Sequence, residues 1–497
     1  MKIDGCTRHN RSYLGVNVQF SKPSDSGGGI QVRTLAVRDC DGIHSGQHTK
    51  DMLVQIMSDF EISHDQIFAI VSDNAANMIK TVSLFNQESG EREAGTGTSL
   101  APNEDSPDEP DEDAPDGESE DEDGDAADAH NEDGDAADGD MPDLRAAVSA
   151  APPTASHMRC AAHTLQLAVR DGIKSVSTLL AGARSVVKKL RTPHLVAVIK
   201  RRGALSPILD NETRWSSTGR MLTRLLELRP VVEDLGAANP QLHLSNDKWQ
   251  QLQSLADALV EPTATMARLQ AAELTPGLFL KEWKLLKRKL EANGTRLAAA
   301  IAAAMDRRQG RLFECDLFLG AVYVDLRYRL LLDEADLNYA ERVFNRIVER
   351  ESQIRCPETS HGEGSGEPGS QQTARAANDG TGNNASSTSS EDELEQALDR
   401  LQQRRRLTDA ELTSTLREDL EKVRHLPRVK SKDAFEAICS SFPSQVRNAA
   451  CALTALPVTQ VSVERLFSAL KFILSDARST MKPDLVEAIL ILRTNWQ

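Results

Sequence analysis

Two carboxylates, Asp4 and Asp73, stand where a sheet would bring them together. Asp4 closes a short apolar start, Met1–Ile3, and Asp73 follows the apolar run Ile67–Val71. If the two segments are neighbouring parallel strands, both acids emerge at the same edge of the sheet, where ligand sites of such sheets gather. Hard divalent cations prefer carboxylate oxygen. Two such ions about 3.5–4 Å apart can activate water and stabilise a leaving oxygen in phosphodiester cleavage. A second group, Cys160 and His163 with His157 three residues before Cys160, has metal-binding residue types. Structural zinc normally takes four ligands as two spaced pairs, and no partner pair is evident, so zinc is not expected. A third, Arg214 beside Trp215, combines a phosphate-pairing guanidinium with an indole on which an unstacked base can rest.

The elements that position these groups follow from periodicity. Leu14, Val16, Val18 and Phe20 alternate with polar or small residues and predict a strand with one buried face. Ser24–Gly29 reads as a turn and Ile30–Val37 as another strand. Met52, Leu53, Ile56, Met57 and Phe60 recur at helical spacing within residues 45–60, and Ile67–Val71 has the continuous apolar character of a buried parallel strand. The predicted order is β-β-β-α-β, with Asp4 ending the first strand.

From Lys174 to about Arg428 helical periodicity dominates, as in Met221/Leu222/Leu225/Leu226 and Trp249/Leu252/Leu255/Ala256/Leu259. Ser390 and Glu393 form a capping box ahead of Leu394. Two low-complexity inserts interrupt the chain. Residues 104–143 hold 21 Asp and Glu and no Lys or Arg, and they repeat the heptapeptide Glu122–Asp128 at residues 132–138. Such acidity cannot bury a core and predicts disorder. The glycines do not fall at the sixth position of a calcium loop. The second insert, residues 356–390, is rich in Gly, Ser, Asn and Thr and predicts a flexible segment.

The formal charge of −17 comes from the first insert; without its 21 acids the rest stands at +4, which permits a nucleic-acid partner without demanding one. Basic clusters occur at Lys188/Lys189/Arg191, Lys200/Arg201/Arg202, Lys281/Lys284/Lys287/Arg288 and Arg404/Arg405/Arg406. Seven widely scattered cysteines suit a reducing compartment. No stretch is apolar enough to span a bilayer, and Met1–Asp4 lacks the apolar core of a signal peptide.

Five segments, in order, resemble the hAT transposase family. Asp4–Thr7 is similar to its first catalytic Asp motif and Ser72–Met78 to its second. Arg159–Leu167 is similar to its Cys-x-x-His segment, Thr213–Ser217 to its Thr-Arg-Trp motif, and Ser462–Ser468 to the Ser-x-Glu-Arg-x-Phe-Ser signature of its dimerisation region. The nearest branch carries an N-terminal BED-type zinc finger. The resemblance implies an α/β, ribonuclease-H-like mixed sheet interrupted by a large all-α insertion domain, in a helix-rich chain. It divides the chain into residues 1–100 (first part of the core), 101–153 (acidic insert), 154–173 (core), 174–430 (helical insertion) and 431–497 (dimerisation region completing the core). It also implies a catalytic and metal-binding triad of Asp4, Asp73 and Glu464 that takes Mg²⁺ or Mn²⁺. Arg214, Trp215, Cys160 and His163 lie toward DNA, and Leu466, Phe467, Leu470 and Leu490 serve self-association. DNA and a second copy are the implied partners, with a nuclear location. The chain departs from the family in lacking the upstream finger, which suggests a truncated or decayed copy. A domesticated, non-cleaving regulator that dimerises on chromatin is the competing expectation, and a degenerate fragment a third.

Overall fold

The computed structural model describes residues 1–22, 29–41, 45–73, 75–94, 155–211, 215–237, 239–271, 274–355, 415–474 and 480–496. The Ser24–Gly29 turn (save Gly29), both low-complexity inserts, the Ser390/Glu393 capping box and Arg404–Arg406 lie outside the described residues.

Three antiparallel strands open the chain: β1 (Lys2–Arg8), β2 (Arg11–Lys22) and β3 (Gly29–Asp39). His9 and Asn10 join β1 to β2 with φ of 49° and 58°, the left-handed geometry that a two-residue hairpin requires. Helix α1 (Gly46–Asp59) is capped by Ser45, whose side chain accepts from the backbone N–H of His48. After it come β4 (Ala69–Ser72), α2 (Ala76–Ala94) and β5 (Ser156–Arg159). The sheet order is β3-β2-β1-β4-β5, with β4 parallel to both β1 and β5. The β-β-β-α-β order expected from the sequence is the order found.

Two expectations about these strands need correction. Asp4 does not end β1, which continues to Arg8 because β2 pairs with it along its whole length. β2 is buried on both faces from Ser12 to Asn17, not on one. Leu14 and Val16 meet the α1/α2 side together with Ile3, Ile56, Ile70 and Phe85. Tyr13 faces the opposite side, against the C-terminal helices.

The rest is helical. In order come α3 (Ala161–Lys174), α4 (Ser177–Leu190), α5 (Pro193–Arg201), α6 (Trp215–Glu227), α7 (Arg229–Gly236), α8 (Asn246–Leu269), α9 (Pro276–Asn293) and α10 (Arg296–Phe313). Then come α11 (Asp316–Val324), α12 (Glu334–Arg355), α13 (residues 415–424), α14 (Ala434–Ser441), α15 (Ser444–Thr454), α16 (Val461–Ile473) and α17 (Pro483–Asn495). Helix α11 is apolar all round, and every residue from Leu317 to Val324 is buried, as expected of a helix at the centre of a core. A single apolar cluster runs from Ala69, Val71 and Met158 on the sheet through Trp249, Trp283 and Phe318 to Val446 and Leu453. The helices therefore share a large core of their own that is continuous with one face of the sheet. Arg327 and Arg329 fasten the later segments to the exit of α11. Arg327 pairs with Asp325 and donates to the Lys432 carbonyl, while Arg329 donates to the carbonyls of Tyr323 and Val423. Among the described residues, no helix is long and apolar enough to cross a membrane.

Candidate functional site at the sheet crevice

The pairing of β1 with β4 aligns Lys2 with Val71. Asp4 stands two residues further along β1, and Asp73 is the first residue after the end of β4. The sheet face that bears Asp4 is covered by α16. Asp4 lies opposite Gly15, and a Cβ at Gly15 would sit 2.6 Å from Val463 Cγ1 and 2.9 Å from Phe467 Cζ. Only a glycine lets α16 settle this closely on the sheet. Asn17 Nδ2 donates to Ser462 Oγ at 3.0 Å and fixes the start of the helix. Glu464, next to Val463, is solvent-exposed on this seated turn. Its charge acts on Cys160, whose own N–H donates to the Ser72 carbonyl beside Asp73. Asp4 thus lies on the sheet face that α16 covers, Asp73 follows the end of neighbouring β4, and Glu464 acts on Cys160, which is bonded to Ser72.

Asp73 is held at both ends. Its Oδ1 accepts from the Ala75 N–H at 3.1 Å, and its carbonyl accepts from Ser72 Oγ at 3.0 Å. With the Ser72 proton so used, His157 Nε2, 2.9 Å from Ser72 Oγ, is the donor to that oxygen. Burial, assisted by neighbouring Arg159, lowers His157 to about 4, so the ring is neutral at physiological pH. Asp4 accepts from the Gly5 N–H at 3.0 Å.

The donor set has the chemistry of a hard-metal site, but its side chains are not gathered. Among the described residues, no group of three or more His, Cys, Asp or Glu side chains could hold a metal ion. Lys2, on the crevice face of β1, is only 5% exposed. Burial lowers its ammonium to about 8, with Cys160 pulling it up and Arg465 pushing it down, so it keeps its proton at neutral pH. Neither Lys2 nor the His157–Ser72 pair was singled out from the sequence. The signal for Lys2 was its place two residues before Asp4, on the same strand face.

The other predicted residues fall differently. Cys160 is fully buried at the start of α3, and burial, with the Glu464 charge beside it, pushes its thiol up to about 12. It is an inert structural thiol that DNA cannot reach. His163 is half-buried in the first turn of α3. Trp215 opens α6 but is only 4% exposed, packed in the helical core, and presents no stacking face to a base. Arg214 lies outside the described residues. The segment before α6 is fixed by Arg184, which clamps Asp210 through Nε and Nη2 at 2.9 and 2.8 Å, while Thr218 donates to the same carboxylate. Burial alone would raise Asp210, yet these bonds hold it below the usual carboxylate range.

The four residues expected at a self-association surface are turned inward. Leu466, Leu470 and Leu490 are buried with Tyr13, Val37 and Val486 against the sheet, and Phe467 packs beside them. The reason is that the sheet's second face needs a cover. The outward apolar residues of the same region are Phe472, Leu485, Leu492 and Trp496, the last 84% exposed. Leu485, Leu492 and Trp496 share one face of the final helix by their spacing of seven and four.

The basic clusters also differ. Lys188, Lys189 and Arg191 at the end of α4, and Lys200, Arg201 and Arg202 at the end of α5, are exposed on neighbouring helices, with Arg202 paired to Asp234. The α9 stripe is partly neutralised, Lys281 by Glu282 and Lys287 by Asp306.

Residues 158–258 match the family model of the ZBED1 RNase-like helical domain. Residues 439–496 match that of the hAT family C-terminal dimerisation region. No curated protein matches the chain. The first match covers β5 through the middle of α8, and the second covers the helices that close the crevice and the sheet edge. The hAT C-terminal region and the RNase-like helical domain in one chain together support an hAT-family, transposase-derived protein.

Proposed function

We propose that this is a nuclear, DNA-binding hAT transposase core with a ribonuclease-H-like sheet, whose acidic crevice of Asp4, Asp73 and Glu464 is the site of divalent-metal-dependent strand cleavage. One observation supports the reading: β1 and β4 are parallel neighbours with Lys2 paired to Val71, so Asp4 and Asp73 each follow the paired residue by two positions, and α16, which bears Glu464, packs on β1 and β2. Mg²⁺ or Mn²⁺ would supply Lewis acidity and an activated water. Taking up such an ion would require the three side chains to draw together from their present positions. The exposed lysines and arginines ending α4 and α5 offer phosphate contacts, and the dimerisation region supports self-association.

The test is nicking of hairpin and terminal-repeat DNA in Mn²⁺ by the wild-type chain and by Asp73→Ala. Nicking by the wild type that the variant loses supports the reading, and equal activity removes it. A second reading, a self-associating DNA-bound protein that does not cut, is favoured by the ungathered carboxylates. It predicts salt-sensitive DNA binding with no nicking by either chain.

A further inference from the structure

The cysteines are scattered along the chain, yet α14 and α15 bring two of them together. We propose that Cys439 and Cys451 form a dithiol modification site, which a hydroperoxide converts reversibly to a disulfide joining α14 to α15. The chemistry uses none of Asp4, Asp73 and Glu464 and stands apart from the cleavage reading.

Only Phe442 and Pro443 separate α14 from α15, and the two helices pack on one another. Phe442 is buried, and its carbonyl accepts from Arg447 Nη2 at 3.0 Å, which fixes the corner. Cys439 lies in the last turn of α14, and Cys451 lies about two turns into α15. Their thiols hydrogen-bond one another. Both residues are partly exposed, within reach of a small oxidant. The other described cysteines differ. Cys160 and Cys315 are buried, and burial is the first cause that pushes each thiol up to about 12. Cys6 and Cys40 are partly exposed, but Cys6 lies in β1 and Cys40 just past β3, with β2 between those strands.

The thiolate, not the thiol, is the nucleophile. Burial, then the charge of Cys439 and the hydrogen bond with it, push Cys451 up to about 12, against the pull of Arg447. The first attack therefore falls to Cys439. Its thiolate displaces hydroxide from the peroxide: an S–O bond forms, the O–O bond breaks, and Cys439 becomes a sulfenic acid. Both influences of Cys439 that held the Cys451 proton are then gone, while Arg447 remains. The Cys451 thiolate attacks the Cys439 sulfur, the S–S bond forms and the S–O bond breaks. Two thiols and one peroxide give one disulfide and two waters, the electrons passing from sulfur to oxygen. In a reducing compartment a small thiol reverses the step, as is usual for disulfides there. The bridge pins α14 to α15, which packs against α11, α12 and β2, at the head of the matched dimerisation region.

The experiment treats the full chain with hydrogen peroxide at neutral pH, alkylates the remaining thiols and digests with trypsin. Cleavage after Arg447 parts Cys439, in residues 433–447, from Cys451, in residues 448–465. The expected product is these two peptides joined and split again by dithiothreitol, with the oxidised chain melting about 3 °C above the reduced one. Cys451→Ser should leave Cys439 as a sulfenic acid that a 1,3-dione probe labels. Cys439→Ser should slow the oxidation of Cys451 by roughly tenfold or more. Unlinked peptides, a bridge from either residue to another cysteine, or a bridge that forms only in urea overturns the proposal. So does a Cys451 that oxidises as fast without Cys439. If a variant does not fold, the linkage in the wild-type chain decides by itself.

Discussion

The sheet meets two different problems at its margin and at its centre. At the margin, edge strand β3 has backbone groups with no further strand to pair with among the described residues. The final helix, α17, answers them with side chains: Asn495 accepts from the Thr34 N–H and donates to the Thr34 carbonyl, both at 2.8 Å, and Glu487 accepts from the Val37 N–H at 3.1 Å. The register shift after Val16 leaves Leu35 without a cross-strand partner beside this cap. The edge is thereby closed to further pairing. At the centre, on β1, the chain buries charge instead: Lys2 and Asp4 are both buried. Burying charge costs stability, whereas closing an edge adds to it. Two buried charges on β1 are therefore the feature that the proposed function has to account for.

The contrast can be broken at four points. The largest expected effect is at His157. An imidazole at about 4 in the folded chain, against about 6.5 when unfolded, binds its proton more readily in the unfolded state between those values. Stability is therefore unaffected by this group above pH 6.5 and falls as pH drops from 6.5 toward 4, by up to about 3 kcal/mol. Urea unfolding across that range should show a steeper loss in wild type than in His157→Gln, since other titrating groups are common to both. Parallel slopes would mean that the ring is not buried against Ser72.

Next is the seat of α16. Gly15→Val places methyl groups against Val463 and Phe467 and should destabilise by about 2 kcal/mol in chemical denaturation. An unchanged midpoint would separate Glu464 from the crevice altogether. At the margin, Asn495→Ala removes two hydrogen bonds to Thr34 and is expected to cost about 1 kcal/mol. Light scattering should also show increased association through the reopened edge, and an unchanged chain would show that the cap is dispensable. The smallest change in protomer stability, under about 0.5 kcal/mol, is expected for Leu492→Glu with Trp496→Glu, because both residues are exposed. Sedimentation of this double variant should nevertheless shift toward monomer. An unchanged oligomer would move self-association to another surface.

The sequence made the frame of the crevice legible and left its fittings obscure. The alternation of Leu14, Val16 and Val18 and the unbroken run Ile67–Val71 carry the strand order, and with it the parallel pairing of β1 with β4. The extent of β1 was hidden because Gly5–Arg8 has no apolar rhythm, and its strand character comes from pairing with β2. Trp215 and the leucines of α16 show how an amphipathic pattern gives an apolar face without naming what covers it. Their partners, the helical core and the sheet, lie far away in the chain. Lys2 was passed over because a charge in a short strand reads as a solvated one until its neighbours are known.

The central claim is that Asp4, Asp73 and Glu464, drawn from both ends of the chain, act at one point. Anomalous diffraction from crystals soaked with Mn²⁺ tests it directly. The account predicts a manganese peak bounded by the carboxylates of all three residues. Peaks elsewhere with none in the crevice, or an ion held by Asp4 and Asp73 with Glu464 turned away, would contradict it.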